Sequence, residues 1–371
     1  MRGPLGGMVW SNLQYLMGLS KLGHDVYFLE DSDDYDSCYD PIGQCFGTDP
    51  TYGLTFIENI LDQIGFKDRW AYYDAHKSEW HGPCINRIHE ICKTADMLVN
   101  LCGINPLRPW LVEIPARILI DEDPVFTQIR NLLEENMRNR TSQHTHFYSF
   151  GENIRTENCT IPDDNFPWLP TRQPIVVEES KPVSGNENAR FTTVMLWNSY
   201  PAREYNNITY DMKSKTFEEY IDLPRKVGPI FEFAIGGSKI PKDLLKNKGW
   251  NICDPIEITK DVDKYKNFIE NSKAEFSIVK DGYIKSNSGW FSERSAAYLT
   301  SGRPVITQDT GFSINIPCGR GLFAVQNIGE AVSAIFEVNS NYKQQSKWAR
   351  EIAEEYFDYK IILPKILVEA I

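Results

Sequence analysis

The sequence has 371 residues, of which 42% are hydrophobic, 12% aromatic and 24% charged. At roughly 100–200 residues per domain that length favours two domains, and the composition excludes disordered, collagen-like and fibrous chains. Asp and Glu number 51 against 39 Lys and Arg, a formal charge of −12, which argues against nucleic acid as a partner because sequence-independent binding needs a dense basic stripe.

No run of about 18 apolar residues reads as a bilayer span, and Met1–Asn12 is too glycine-rich for a secretory signal. The cysteines (38, 45, 84, 92, 102, 159, 253 and 318) form no CxxC pair. They read as reduced thiols of a cytoplasmic protein, not as a disulfide or zinc framework.

In chain order, Leu13, Leu16, Met17 and Leu19 predict a helix over Asn12–Leu22. Gly23 ends it, and His24–Leu29 follows as a short buried strand closing on Glu30-Asp31. A glycine loop, helix, glycine stop and apolar strand make most of a βαβ unit. The strand that should precede the loop is missing, so the first strand of this half is expected to be absent. Trp70–Trp80, which holds His76, reads as a packed helix in preference to an acceptor pocket. An amphipathic helix is expected near Cys84–Thr94, and Asp96–Cys102 and Ala116–Asp121 read as buried parallel strands. His146–Phe150 is a further strand, Pro162–Pro182 the crossing between domains, and Ser184–Ala189 a solvated loop.

The second half repeats the alternation. Strands are expected at Thr192–Trp197, Ile230–Ile235, Trp250–Cys253, Glu275–Val279 and Pro304–Thr307. Helices fall between them, including Asp261–Asn271 and Ser288–Thr300, and Gly329–Glu337 and Asn341–Tyr356 close the chain. The expected division is residues 1–170, residues 171–345, and a helical segment 346–371 packing back on the first domain. Two α/β halves with a cleft between them is the architecture this pattern supports.

Three segments carry chemistry. Gly3-Pro4-Leu5-Gly6-Gly7 lets backbone approach a ligand at a helix start, but lacks the GxGxxG spacing of a dinucleotide site. Asp121-Glu122-Asp123-Pro124 ends a strand, where open α/β sheets bind ligands and a carboxylate can serve as base. Capping of the next helix is the structural alternative, and a DxD metal motif a further one. In the third segment a strand ends at Lys280, and a Ser/Gly-rich loop (Ser286–Gly289) precedes a helix with Glu293 and Arg294 in its first turn. That loop and helix start suit a diphosphate, Glu293 suits ribose hydroxyls, and Lys280 suits phosphate as a point charge.

At this point SGWFSERSAAYLTSGRPVITQDTGF (Ser288–Phe312) resembles the donor-binding segment of GT-B glycosyltransferases. More closely, it is similar to bacterial glycosyltransferase-like proteins near the CgeB-like group. Pro4–Asp31, Asp121–Gln128 and Leu169–Val176 fit the same group. The resemblance implies two Rossmann-like domains facing a cleft, with the nucleotide-sugar held mainly by the C-terminal one. It implies Glu293 on the donor ribose, Gly6 and Gly7 near the donor phosphates, and Asp309-Thr310-Gly311 lining the donor site with Ser288 and Gly289.

The reaction implied is hexosyl transfer from a nucleoside diphosphate sugar to an acceptor hydroxyl, with no cofactor and no metal. Lys280, Arg294 or backbone amides would stabilise the departing diphosphate. Many retaining members carry a glutamate eight positions before Glu293; here Lys285 stands there, so the stereochemical outcome stays open. An inverting reaction needs a base in the N-terminal domain, for which Asp121 and Asp123 are the candidates. A sugar-nucleotide epimerase and a catalytically degenerate sugar-nucleotide-binding module are the alternatives.

Overall fold

The computed structural model describes residues 2–180 and 185–368. Residues 181–184, which fall in the expected crossing and at the head of the expected loop, lie outside the described residues, as do Met1 and the last three positions.

Helix α1 (Gly6–Lys21) starts at Gly6, earlier than the Asn12 expected. A side chain at Gly6 would place its Cβ 2.3 Å from the Asp261 carbonyl oxygen, so glycine lets the first turn abut a helix of the second half. β1 (Phe28–Asp31) begins later than expected, because His24 and Asp25 are exposed. It pairs in parallel with β2 (Trp70–Asp74), which turns back into antiparallel β3 (Glu79–His81). Trp70–Trp80 is therefore a hairpin and not the packed helix expected. Its aromatic side chains favour a pleated, half-buried surface, and Ser78 at φ 56° turns the chain.

The helix expected from Cys84 is confined to Ile88–Thr94. β4 (Met97–Leu101), β5 (Ala116–Asp121), β6 (His146–Ser149) and β7 (Leu169–Pro170) form a second, all-parallel sheet. Among the described residues no strand joins β1 to β4. Instead the Asn105 side chain serves the free edge of β1, donating to the Leu29 carbonyl (3.0 Å) and accepting from the Asp31 N–H (2.9 Å). Helix α2 (Phe126–Leu133) follows β5.

The second half is built on a six-stranded parallel sheet of β8 (Phe191–Leu196), β9 (Phe231–Gly236), β10 (Asn251–Cys253), β11 (Ala274–Ser277), β12 (Val305–Gln308) and β13 (Leu322–Val325). Its order is β10-β9-β8-β11-β12-β13. The order reverses between β8 and β11, and the crevice beyond the carboxyl ends of such strands is where open α/β sheets bind ligands. Helices α3 (Lys213–Tyr220), α4 (Val262–Glu270) and α5 (Glu293–Thr300) flank that crevice. α6 (Tyr342–Tyr356) and α7 (Tyr359–Val368) end the described chain.

One apolar cluster joins the halves: Val9, Trp10 and Leu16 of α1 pack with Tyr265, Phe291, Tyr298 and Phe357. α7 lies on α1 so closely that a Cβ at Gly18 would sit 2.7 Å from Leu363 Cδ1. The architecture is thus two α/β halves with parallel sheets facing a cleft, as the pattern implied. Among the described residues no helix is long and apolar enough to cross a membrane.

Candidate functional site

The acidic run after β5 divides into three jobs. Asp121 is buried, and its two carboxylate oxygens accept from the Asp123 N–H (2.9 Å), Thr127 Oγ1 (2.6 Å), Gln128 Nε2 (3.1 Å) and Ser149 Oγ (2.8 Å). With all these donors spent on it, Asp121 ties β5 to β6 and to the Thr127 and Gln128 side chains of α2, so the geometry gives the proposed base a structural role.

Asp123 reaches across the cleft. Its Oδ1 accepts from Lys280 Nζ (2.7 Å) and Tyr283 OH (2.5 Å), and its Oδ2 accepts from Tyr200 OH. Lys280 Nζ also donates to Tyr200 OH at 2.8 Å and lies 5.0 Å from the Phe126 ring centre. Burial works to raise the Asp123 pKa, but the Lys280 charge and the three hydrogen bonds prevail and lower it. A carboxylate held ionised by three donors is a poor proton acceptor. Asp123 and Lys280, both proposed as catalytic, instead latch one half to the other.

Glu122, between them, faces the cleft. Its Oε2 accepts from Cys102 Sγ at 3.2 Å, while its Oε1 is buried with no hydrogen-bond partner among the described residues. Burial, and then the negative charge of Glu293 opposite, push its pKa up to about 7. Tyr15 OH of α1 is likewise buried without a partner and lies within electrostatic reach of Glu122. Buried polar atoms without partners mark places where a polar ligand satisfies them.

On the other wall Glu293 opens α5. Ser292 caps the helix by accepting from the Arg294 N–H (3.2 Å) and donates to Glu293 Oε2 (3.2 Å), which leaves the carboxylate half-buried at the crevice. Lys213, the first residue of α3, is 9% exposed. No carboxylate among the described residues pairs with it. Burial, then the Arg294 charge, lower its pKa to about 7, with Glu293 pulling the other way.

Arg294 itself turns inward: it donates to Glu275 Oε1 (2.6 Å), Ser277 Oγ (2.6 Å) and the Val194 carbonyl (2.9 Å). It braces β8 and β11, with three of its five N–H donors committed to the sheet and its guanidinium buried there.

The remaining donor-loop candidates meet Asn153, which follows β6. The Asn153 N–H donates to the Ser288 carbonyl (3.0 Å), and its Nδ2 donates to the Asn287 (3.0 Å) and Gly311 (3.1 Å) carbonyls. Gly289 and Gly311 have φ of 75° and 92°. A Cβ at Gly289 would lie 2.8 Å from Asn153, and one at Gly311 2.1 Å from Asn287 Oδ1. Thr310 is buried and donates to the Trp290 carbonyl, Ser288 Oγ donates to the Tyr283 carbonyl, and Asp309 accepts from the Gly311 N–H in its own turn. Ser288, Gly289 and Gly311 thus take part in a joint between the halves, while Asp309 and Gly311 also line a cavity of about 450 Å³ with Lys215, Gln308 and Gln326. Gly6 and Gly7 face Asp261 and Tyr265 of the C-terminal half, which again is a close approach of backbone to protein.

Of the residues singled out in the sequence, Glu293 stands at the cleft with its carboxylate available. Sequence reasoning missed Glu122, Lys213, Tyr15 and Asn153. Glu122 had a local signal: successive strand residues point to opposite faces, so Asp121 and Glu122 cannot share one environment. Lys213 sits in no motif. Among the described residues no group of three or more His, Cys, Asp or Glu side chains gathers as a metal-ligand set.

No protein-family model matches the chain, and no curated protein matches its sequence. Solved structures do match in fold. An alpha-glucosyltransferase in complex with UDP is 12% identical with a TM-score of 0.54, covering 100% of this chain and 97% of that one. An alpha-glucosyltransferase in complex with UDP-glucose and DNA containing an abasic site is 11% identical with a TM-score of 0.56, covering 100% and 97%. AviGT4, a glycosyltransferase involved in avilamycin A biosynthesis, is 11% identical with a TM-score of 0.50, covering 98% and 89%.

These likenesses show that the chain has the GT-B fold of glycosyltransferases. They also overturn one expectation: nucleic acid cannot be struck out as a partner, because glycosyltransferases of this fold are seen with DNA bound. Net charge sums over the whole surface, whereas an acceptor meets one edge of a cleft.

Proposed function

We propose that the protein transfers a sugar from a nucleoside diphosphate sugar to an acceptor hydroxyl, with Glu122 as the base and Lys213 as the cation at the departing diphosphate. The observation that carries this reading is the facing of Glu122 in one half and Glu293 with Lys213 in the other, the Glu293 charge acting on both Glu122 and Lys213. Glu293 accepts from the donor ribose hydroxyls. The acceptor hydroxyl lies against Glu122 Oε1 and Tyr15 OH and gives its proton to Glu122, whose pKa suits a base working near neutrality. As negative charge grows on the diphosphate, Lys213 takes up or keeps its proton and neutralises it. The chain's own cation serves the leaving group, so the reading needs no metal. The fold and the Ser288–Phe312 resemblance support the finer assignment, a cytoplasmic bacterial hexosyltransferase near the CgeB-like group. In this reading residues 1–170 present the acceptor, residues 171–345 hold the donor, and residues 346–371 pack back on the first domain.

Calorimetric titration with a panel of nucleoside diphosphates, followed by turnover of the matching sugar donor, tests it. Glu293→Ala is expected to weaken nucleotide binding about tenfold or more, the loss of a charged hydrogen bond. Glu122→Gln is expected to lower kcat by roughly 10²–10⁴ with nucleotide affinity nearly unchanged. No binding by any member of the panel, or equal effects of the two substitutions on both quantities, would overturn the assignment.

A further inference from the structure

Next to Glu122 a small recess of about 30 Å³ opens in the N-terminal half, lined among others by Cys102, Asn105, Asp121, Thr127, Arg130 and Arg140. Cys102 belongs to both places, since the sulfur that lines this recess donates to Glu122.

Arg130 of α2 is the unusual member. Its Nε is buried with no hydrogen-bond partner among the described residues, and its Nη2 makes a long 3.4 Å contact to Thr127 Oγ1. Two neighbouring arginines are paired with the carboxylates at and just after the end of β1: Arg108 with Asp31 and Asp34 (2.9 Å each), and Arg140 with Asp33 (2.8 Å). Those carboxylates are therefore spent. Asp121 is spent too, by its four donors, and meets Arg130 only through Thr127, which donates to it at 2.6 Å. His144 at the far wall has its pKa lowered to about 4 by burial and is neutral near pH 7. What remains is a guanidinium at the wall of the recess with a buried, unpartnered Nε and no carboxylate to receive its donors. Such a donor is costly to leave unpaired and favours an oxyanion.

We infer that this recess is an anion subsite of the acceptor, in which Arg130 donates to a phosphate-ester oxygen while the acceptor hydroxyl reaches Glu122 past Cys102. The inference rests on the reading of the cleft as a transferase site and adds to it the acceptor's class. The acceptor carries a phosphate near the hydroxyl that receives the sugar. The recess has room for the terminal oxygens of one such group, and the rest of the acceptor lies outside it. A phosphorylated small molecule and the phosphodiester of a nucleic acid present the same oxygens.

The full chain is first saturated with the nucleoside diphosphate that binds best. Inorganic phosphate, glucose 6-phosphate and a 13-mer DNA are then titrated in separate arms against the natural chain, Arg130→Gln and Arg130→Met. Each substitution is expected to weaken at least one phosphate probe tenfold or more, with nucleotide affinity unchanged within twofold and an unaltered thermal midpoint. A loss confined to glucose 6-phosphate assigns a small phosphorylated acceptor. A loss for DNA, with the salt slope reduced by about one, assigns the phosphodiester.

Phosphate binding that is as tight in both variants as in the natural chain, or that vanishes whenever the nucleotide is bound, overturns the subsite. If no nucleotide binds yet phosphate binding still depends on Arg130, the transferase reading fails while the anion site stands.

Discussion

Protonation decides what Glu122 and Lys213 are able to do. For Glu122 the folded pKa of about 7 lies above the ordinary carboxylate value, because burial and then the opposing Glu293 disfavour the anion. As a base it works deprotonated, so kcat/KM is expected to rise through pH 7 on its acid limb, and Glu122→Gln to abolish that limb along with the rate. The same shift has a stability sign. A raised folded pKa supports the fold below the unfolded pKa and loses that support as pH rises through the folded one. Glu122→Gln is therefore expected to gain stability over the natural chain as pH climbs from about 4.5 past 7, read as a growing difference in Tm.

Lys213 runs oppositely. Its depressed pKa of about 7 means a diphosphate binding at pH 8 restores its charge by taking up a proton. The apparent binding enthalpy should then depend on the ionisation enthalpy of the buffer, and Lys213→Met should remove most of that dependence together with affinity.

At the scale of elements, the joint on Asn153 explains why the loops that carry Gly289 and Gly311 pack against protein of the other half. Gly311 combines a left-handed φ of 92° with a Cβ position 2.1 Å from Asn287 Oδ1. Gly23 has a similar φ of 95° with nothing within 4 Å. Gly23→Ala should cost about 1 kcal/mol, the backbone strain alone. Gly311→Ala should cost more, because the joint must also open. Asn153→Ala leaves two carbonyls without their donor and is expected to cost about 2–4 kcal/mol. Urea unfolding of the three variants measures all of this.

Across the whole molecule, the halves are held by an apolar cluster shared between α1 and the C-terminal half and by the Asp123–Lys280 latch with its two tyrosines. Asp123→Asn leaves the Lys280 charge uncompensated in a largely buried place, and about 2–4 kcal/mol of stability should go with it. Replacing both partners, as Asp123→Asn with Lys280→Met, should recover part of that loss, since the stranded charge is gone. If the double variant is no more stable than Asp123→Asn alone, the latch is not an ion pair in solution.

The alternation of apolar strands with helices was enough to give two α/β halves and a cleft at their strand ends, because burial of a strand or helix face is written in the residues of that segment itself. Glu293 was legible for the same reason, standing at a helix start that opens on the cleft. Which polar groups stay available was not legible. Asp123 finds Lys280 157 residues away, and Asn153 finds Gly311 158 residues away. A hydrogen bond formed across such a separation spends a side chain that the local sequence leaves free. Only the folded chain therefore distinguishes the carboxylate consumed by a latch, Asp123, from the neighbour whose Oε1 stays without a partner among the described residues, Glu122.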